Sequence, residues 1–178
     1  LRTYEVAGTS HVGFSDPNLR GELLVRDGLP VADPSVCVRP ALSRIPTGHV
    51  VNASYDHLVR WLRFGWEPPT APPIEVVSMD PVAVARDEYG NALGGIQLPE
   101  HAVPTATNTG ANFGPGFCIL FGSHEPFDQA TLDMLYANHG RYVKQFAWSA
   151  LENLFKGYLV LDDARASIRE AAHSEVGR

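Results

Sequence analysis

Cysteine is scarce: Cys37 and Cys118 are the only two, too few and too far apart for a zinc site or a redox motif. They could pair with each other, pair with cysteines elsewhere, or stand as buried thiols, and buried thiols are the reading favoured. Long apolar runs are lacking too. No stretch approaches the roughly 20 residues that span a bilayer, so a membrane span is excluded. Basic runs are missing as well. Lysine and arginine total 14 against 20 acidic residues, a formal charge of −6, which argues against nucleic acid or an acidic membrane surface as partner, because both demand a positive field. No initiator methionine, signal peptide or targeting prelude leads into Leu1, so the chain reads as beginning inside a fold. Neither a repeat nor a low-complexity tract is found. What is present is globular in composition, 44% hydrophobic and 19% charged over 178 residues. That is enough for one domain with a real core and too little for two.

Residues 2–7 alternate loosely and are rich in β-formers, which predicts a strand entering the turn Gly8-Thr9-Ser10-His11. Over 12–46 no period is sustained, and Asp16-Pro17, Asp27-Gly28, Asp33-Pro34 and Arg39-Pro40 mark turns or extended chain. A helix is expected over 48–64. There Val51, Tyr55, Leu58, Val59 and Leu62 build one apolar stripe, Gly65 can stop the helix, and Pro68-Pro69 forbids its continuation. Two β-rich runs follow at 74–78 and 82–86, and the polar turn 87–91 suggests a hairpin into 92–98. Gly94-Gly95 in that return run implies a bulge or a close backbone approach. Residues 99–126 read as irregular. The last fifty residues read as helical. Asp128 caps a first helix that stops near Gly140, with Phe127 able to staple onto Leu132. A second helix covers about 141–156, with Val143, Phe146, Ala147, Ala150, Leu151 and Leu154 on one face and Gly157 as its stop. A third, capped by Asp162, fades by Ala172.

The sharpest chemical feature is His11. A histidine just past a strand end, preceded by small flexible residues, is where a general base belongs, on a loop projecting from a sheet edge. Taken on spacing alone, an ordinary loop histidine bonded to backbone is the commoner outcome. Asp16, Asp27 and Asp33 could orient it, although solvated turn carboxylates are the more frequent case. His49, His57, His101, His124, His139 and His173 show no metal-ligand spacing and read as scattered polar or capping histidines. Gly114-Pro115-Gly116 lacks the third glycine and the helix of a dinucleotide loop. A G-x-S-x-G nucleophile elbow does not occur. The run 94–107 mixes permissive glycines, rigid prolines and hydroxyls, the makeup of a segment shaped against a ligand or lying across its own protein.

Several strings together resemble the bacterial family of alpha/beta hydrolase domain-containing proteins. They are Glu5-Val6-Ala7-Gly8-Thr9-Ser10-His11, Arg60 to Pro69, Ala85 to Pro99, Val103-Pro104-Thr105-Ala106 and Phe121 to Asp128. They stand in the family's order and cover nearly the whole chain. The resemblance implies a serine-hydrolase fold in which His11 is the triad base beside a late strand, and helix 48–64 closes the hydrolase core. In α/β-hydrolases the triad runs serine, acid, histidine, which would put both partners before residue 1.

The expectation is therefore an α/β protein, the C-terminal part of an α/β-hydrolase. Residues 1–70 would end the core, and residues 71–178 would form an extension of hairpin, loop and helices packed on it. The whole protein would hydrolyse ester-like substrates with His11 as base, without metal or cofactor. Its partners would be a small ester-like molecule and the N-terminal half of the same protein, with a homo-oligomer possible. A core without its earlier strands would leave the 48–64 stripe or the first strand exposed. The rival expectation is a non-catalytic ligand-binding, lid or oligomerisation module.

Overall fold

A computed structural model describes residues 1–31 and 33–178, with the side chains of 16–20 outside the description. Its elements are helix α1 (Ser15–Arg26), α2 (Thr47–Phe64), strands β1 (Val76–Met79) and β2 (Val82–Val84), and α3 (Pro99–Ala102). They continue with β3 (Ala106–Thr109), α4 (Cys118–Phe121), β4 (Ser123–Pro126), α5 (Gln129–Leu135), α6 (His139–Lys156) and α7 (Leu161–His173). The chain is mixed α/β, with helices and two small antiparallel sheets, β1–β2 and β3–β4.

The expected first strand survives as a single parallel bridge between Val6 and Ile96. Its bonds run from the Ala7 N–H to the Ile96 carbonyl at 3.0 Å and from the Ile96 N–H to the Glu5 carbonyl at 2.7 Å. The strands expected at 74–78 and 82–86 appear as β1 and β2, paired with each other, and the return run expected to form a hairpin joins them only through isolated bridges and a closed ring of backbone bonds. The Glu75 N–H donates to Leu93, the Leu93 N–H to Ala85, and the Ala85 N–H to Glu75, at 2.8–2.9 Å. Three segments can meet this tightly because Gly94 and Gly95 hold φ of +71° and +67°. A Cβ on Gly94 would stand 2.6 Å from the Pro73 carbonyl oxygen, and one on Gly95 would stand 2.9 Å from that of Glu5. The close approach read from the glycine pair is what the backbone does.

Three expectations are corrected. Residues 15–26 form α1, which tolerates a proline in its first turn because the N–H it removes has no intrahelical partner anyway. Residues 99–126 contain β3 and β4, in register from Ala106 opposite Pro126 to Thr109 opposite Ser123. Their polar composition hid them: Asn108, Thr109 and Ser123 are buried and hydrogen-bonded rather than solvated. The cysteines are not thiols but a disulfide, Cys37–Cys118, which ties the turn at Pro34–Val36 to α4.

Helix ends follow the capping signals closely. Gly65 and Gly157 end α2 and α6 in the left-handed region, and the Asp128 carboxylate accepts the Thr131 N–H at 2.8 Å. The first of the C-terminal helices stops at Leu135, short of Gly140, because Asn138 already caps α6 by accepting the Arg141 N–H at 2.9 Å. Asp162 lies in the first turn of α7 instead of capping it, where its charge still suits the helix N-terminus. The Phe127 ring packs against Tyr89.

The core is built by α6 and α7 against the loops. One cluster joins Ile45, Val50, Ile96, Leu98, Ala150, Tyr158, Leu159 and Ala164, and a second joins Val103, Tyr136, Tyr142, Phe146 and Ala171. The inward face of α6 is rotated from the expected stripe. It presents Tyr142, Phe146, Ser149, Ala150 and Asn153 inward, since Asn153 satisfies its amide on the carbonyls of Gln97 and Ser149. On α2 only Val50 and Ala53 are buried, and the whole stripe Val51, Tyr55, Leu58, Val59 and Leu62 is exposed, Leu62 at 79%.

The disulfide spans 81 residues of sequence, so it restricts the unfolded chain strongly, by about 4 kcal/mol in the chain-entropy description. Replacing both cysteines with serine is expected to lower unfolding free energy by a few kcal/mol. Urea unfolding of the oxidised, reduced and double-serine proteins checks this. Equal midpoints for all three would show that the bridge adds nothing.

Candidate functional site

His11 sits on a loop fastened on both sides. Before it, the Gly8 carbonyl accepts the Ser43 hydroxyl at 2.5 Å and the Thr9 hydroxyl bonds the Val6 carbonyl at 2.8 Å. After it, the Ser10 hydroxyl bonds the Val12 carbonyl at 2.9 Å, and the Val12 N–H bonds Leu120 at 2.9 Å. Gly8 turns the chain at φ +74°, and a Cβ there would stand 2.7 Å from Nδ1 of His101. The imidazole of His11 itself is exposed and has no hydrogen-bond partner among the described residues. A fixed backbone with a free side chain suits a base that must meet a second group. Of the carboxylates that could orient it, Asp27 pairs with Arg26 and Asp33 accepts the Ser35 N–H. The side chain of Asp16 lies outside the described residues. Neither Ser10 nor Ser123 contacts His11 through a hydrogen bond; Ser123 is buried against the Thr109 hydroxyl at 2.8 Å.

A cavity of about 640 Å³ opens elsewhere, lined by the start of α2, by α3, the β3–β4 pair, α6 and α7. His11 does not line it; His49 and His124 do. The remaining histidines divide. His57, His139 and His173 bond backbone carbonyls at helix ends, as capping histidines do. His49, His101 and His124 are more than scattered polar residues, and composition held no sign of it.

The tautomer of His124 follows from its partner. Asn108 Oδ1 accepts the Arg44 N–H at 3.1 Å, so the oxygen faces this way, and the His124 Nδ1 at 2.9 Å must carry the proton. The lone pair is left on Nε2. Burial, and then the Arg44 charge, push the His124 pKa down to about 4. His101 is fixed in the opposite sense. Its Nε2–H donates to the Ala92 carbonyl at 2.8 Å, and its Nδ1 is buried against Gly8 without a hydrogen-bond partner among the described residues. Burial lowers its pKa also, outweighing the Ala92 bond. On the cavity floor, Glu100 accepts the Ser167 hydroxyl on Oε1 at 2.6 Å. Burial holds its carboxyl above the usual range, against the Ser167 bond and the nearby His49.

Compared with known families, residues 1–169 match the alpha/beta hydrolase domain. The chain belongs to that family. No curated protein and no solved structure matches it. Within this alpha/beta hydrolase domain chain, the match takes in the His11 loop and most of the cavity lining, while Glu170, Ala171, Ser174 and Val176 lie beyond it. None of its described helices is long and apolar enough to cross a membrane.

A neutral His124 links stability to pH. The unfolded state gains its proton near 6.5, the native state only near 4. The contribution is therefore complete above the unfolded value and lost as pH falls through this window. His124→Gln is expected to flatten the decline of the urea midpoint across that range. An unchanged slope would show that His124 is not neutral in the native state.

Proposed function

We propose that this chain supplies the general base, His11, of a serine hydrolase acting on ester-like substrates. The reading is carried by one observation. The family match includes the strap Val6–Val12, and that strap is bonded at both ends while leaving the His11 imidazole exposed and without a protein partner among the described residues. A serine hydroxyl is a weak nucleophile until a neighbouring base takes its proton. In this reading the serine attacks the acyl carbon, His11 takes the proton, and the imidazolium returns it to the departing alcohol. Preorganised N–H donors hold the oxyanion.

The serine and the orienting carboxylate belong, in the same reading, to a segment of the hydrolase outside these 178 residues. The exposed stripe of α2 supports it. Five apolar side chains stand in a row on one face of a helix whose other face, through Val50, joins the core. A helix that closes a hydrolase core would turn this row toward the sheet. Residues 1–70 are read as the end of that core and 71–178 as the extension lying on it. Ile45 and Val50 of the first part share one cluster with Leu98, Ala150 and Leu159 of the second, so the two parts fold together. The Cys37–Cys118 bridge fits a compartment that keeps disulfides oxidised.

In the intact protein, His11→Ala is expected to cut kcat on a simple activated ester by about 10³–10⁶, with KM changed far less, since proton transfer is lost and not pocket contact. Steady-state kinetics of the two proteins checks this. Full activity in the variant would sink the assignment. Labelling of Ser10, Ser15 or Ser123 by a serine-directed phosphonate would move the nucleophile into this chain.

A further inference from the structure

The cavity lined by the start of α2, the β3–β4 pair, α6 and α7 contains two polar groups that the protein presents and does not use. The first is Nε2 of His124. The ring donates through Nδ1 to Asn108 Oδ1 at 2.9 Å, so Nε2 carries the lone pair. His124 is half-buried and lines the cavity, and its Nε2 keeps accessible surface with no hydrogen-bond partner among the described residues. The second is the guanidinium of Arg44. One face lies over the Phe14 ring, 4.6 Å from its centroid, which leaves the N–H edge open. It joins no ion pair and no side-chain hydrogen bond among the described residues.

The two groups are held as a pair. Asn108 Oδ1 accepts from the Arg44 N–H at 3.1 Å as well as from the His124 ring. Asn108 is itself buried, and its N–H donates to Asn91 Oδ1 at 2.9 Å. The Phe14 N–H donates to the carbonyl of Ser43, the neighbour of Arg44, at 3.0 Å, which fixes the stack. The Arg44 charge reaches the imidazole, since after burial it helps to keep His124 neutral.

We propose that this cavity binds a small hydroxy acid with an apolar body, its carboxylate on Arg44 and its hydroxyl donating to His124 Nε2.

The two groups select the ligand together. A neutral imidazole whose Nδ1 already donates can only accept at Nε2, so its partner must bring an O–H or N–H. A guanidinium stacked on an aromatic ring keeps its planar fork for a carboxylate. An ammonium could donate to the imidazole, but it would meet Arg44 as a like charge. A plain carboxylic acid leaves Nε2 unmet, and a plain alcohol leaves Arg44 unmet. Glu170 on α7 is a like charge for the carboxylate in the same lining, which turns that end of the ligand toward Arg44. Pro46, Pro126 and Val176 retain apolar surface in the lining for the body of the molecule. The volume, about 640 Å³, suits a small molecule rather than a peptide.

The inference does not depend on His11 or on ester turnover, so binding is measured directly on the intact protein. Calorimetric titration compares 3-phenylpropionate with its 2-hydroxy and 3-hydroxy derivatives, and the tighter hydroxy acid with its N,N-dimethylamide. One hydroxy acid is expected to bind more tightly than the parent by about three- to tenfold, the contribution of one added hydrogen bond. The amide is expected to bind about tenfold more weakly than its acid. Arg44→Gln, at an exposed position, is expected to abolish the preference for acid over amide. His124→Phe is expected to abolish the preference for the hydroxyl while leaving the parent acid unchanged. Should that variant fail to fold, nitrogen NMR of the unsubstituted protein reads the same contact: the His124 Nε2 resonance is expected to shift with the hydroxy acid and not with the parent. No binding of any of the three acids, equal binding of the parent and both hydroxy acids, an Nε2 resonance indifferent to the hydroxyl, or preferences that survive the two substitutions would each overturn the proposal.

Discussion

Buried amide side chains hold the irregular half of this protein together. Asn112 is the clearest case. Its Oδ1 accepts the N–H groups of Arg39 and Phe113, and its Nδ2 donates to the carbonyls of Arg39 and Gly122. All four of its hydrogen-bonding positions go to backbone. Asn91 does the same for β3, donating to Ala106 and accepting from Asn108. Asn108 in turn holds Arg44 and His124. With only two short sheets among the described residues, these side chains bond the backbone groups that strand ladders would otherwise satisfy. A buried peptide group left unbonded costs on the order of 1–3 kcal/mol, so the loops between α2 and α5 can be buried only because the amides are there.

That constraint reaches the chemistry directly. The strap that presents His11 is tied to Ile96, Ser43 and Leu120, and each of those belongs to a segment that the asparagines or the disulfide position. The neutral state of His124 rests on the Asn108 oxygen, whose direction is fixed by a backbone N–H of the loop after the disulfide turn. His101 fills the space under Gly8, so the turn leading to His11 rests on a buried ring with its own proton pinned on the Ala92 carbonyl. Stability and candidate chemistry therefore share one network, in which loosening an amide would shift an imidazole.

Polar and apolar surfaces are distributed in opposite ways. Among the described residues the interior takes ten buried polar ones, including Ser43, Asn91, His101, Asn112 and Ser123. The exterior carries the row on α2 and, on α6, Trp148 and Phe155, the latter 87% exposed. A contiguous apolar row on a helix marks a face that meets another surface, which is the physical content of reading α2 as the closing helix of a larger core.

Periodicity, caps and glycines were enough for α2, the three C-terminal helices and the hairpin region, but not for α1, α3 and α4, which fall where irregular chain was expected. The limits of α2 and α6, the Asp128 cap and the tight approach at Gly94-Gly95 follow from local rules, because each depends on residues a few positions apart. The family resemblance was also legible in the strings themselves. The β3–β4 pair, the Cys37–Cys118 bridge, the inward face of α6 and the cavity of His49, Glu100 and His124 were not. In each of these the deciding partner is far away in sequence: Asn91 for β3, Gln97 for Asn153, Ser167 for Glu100. A polar side chain reads as solvated until its distant partner is known, and only the tertiary structure supplies that partner.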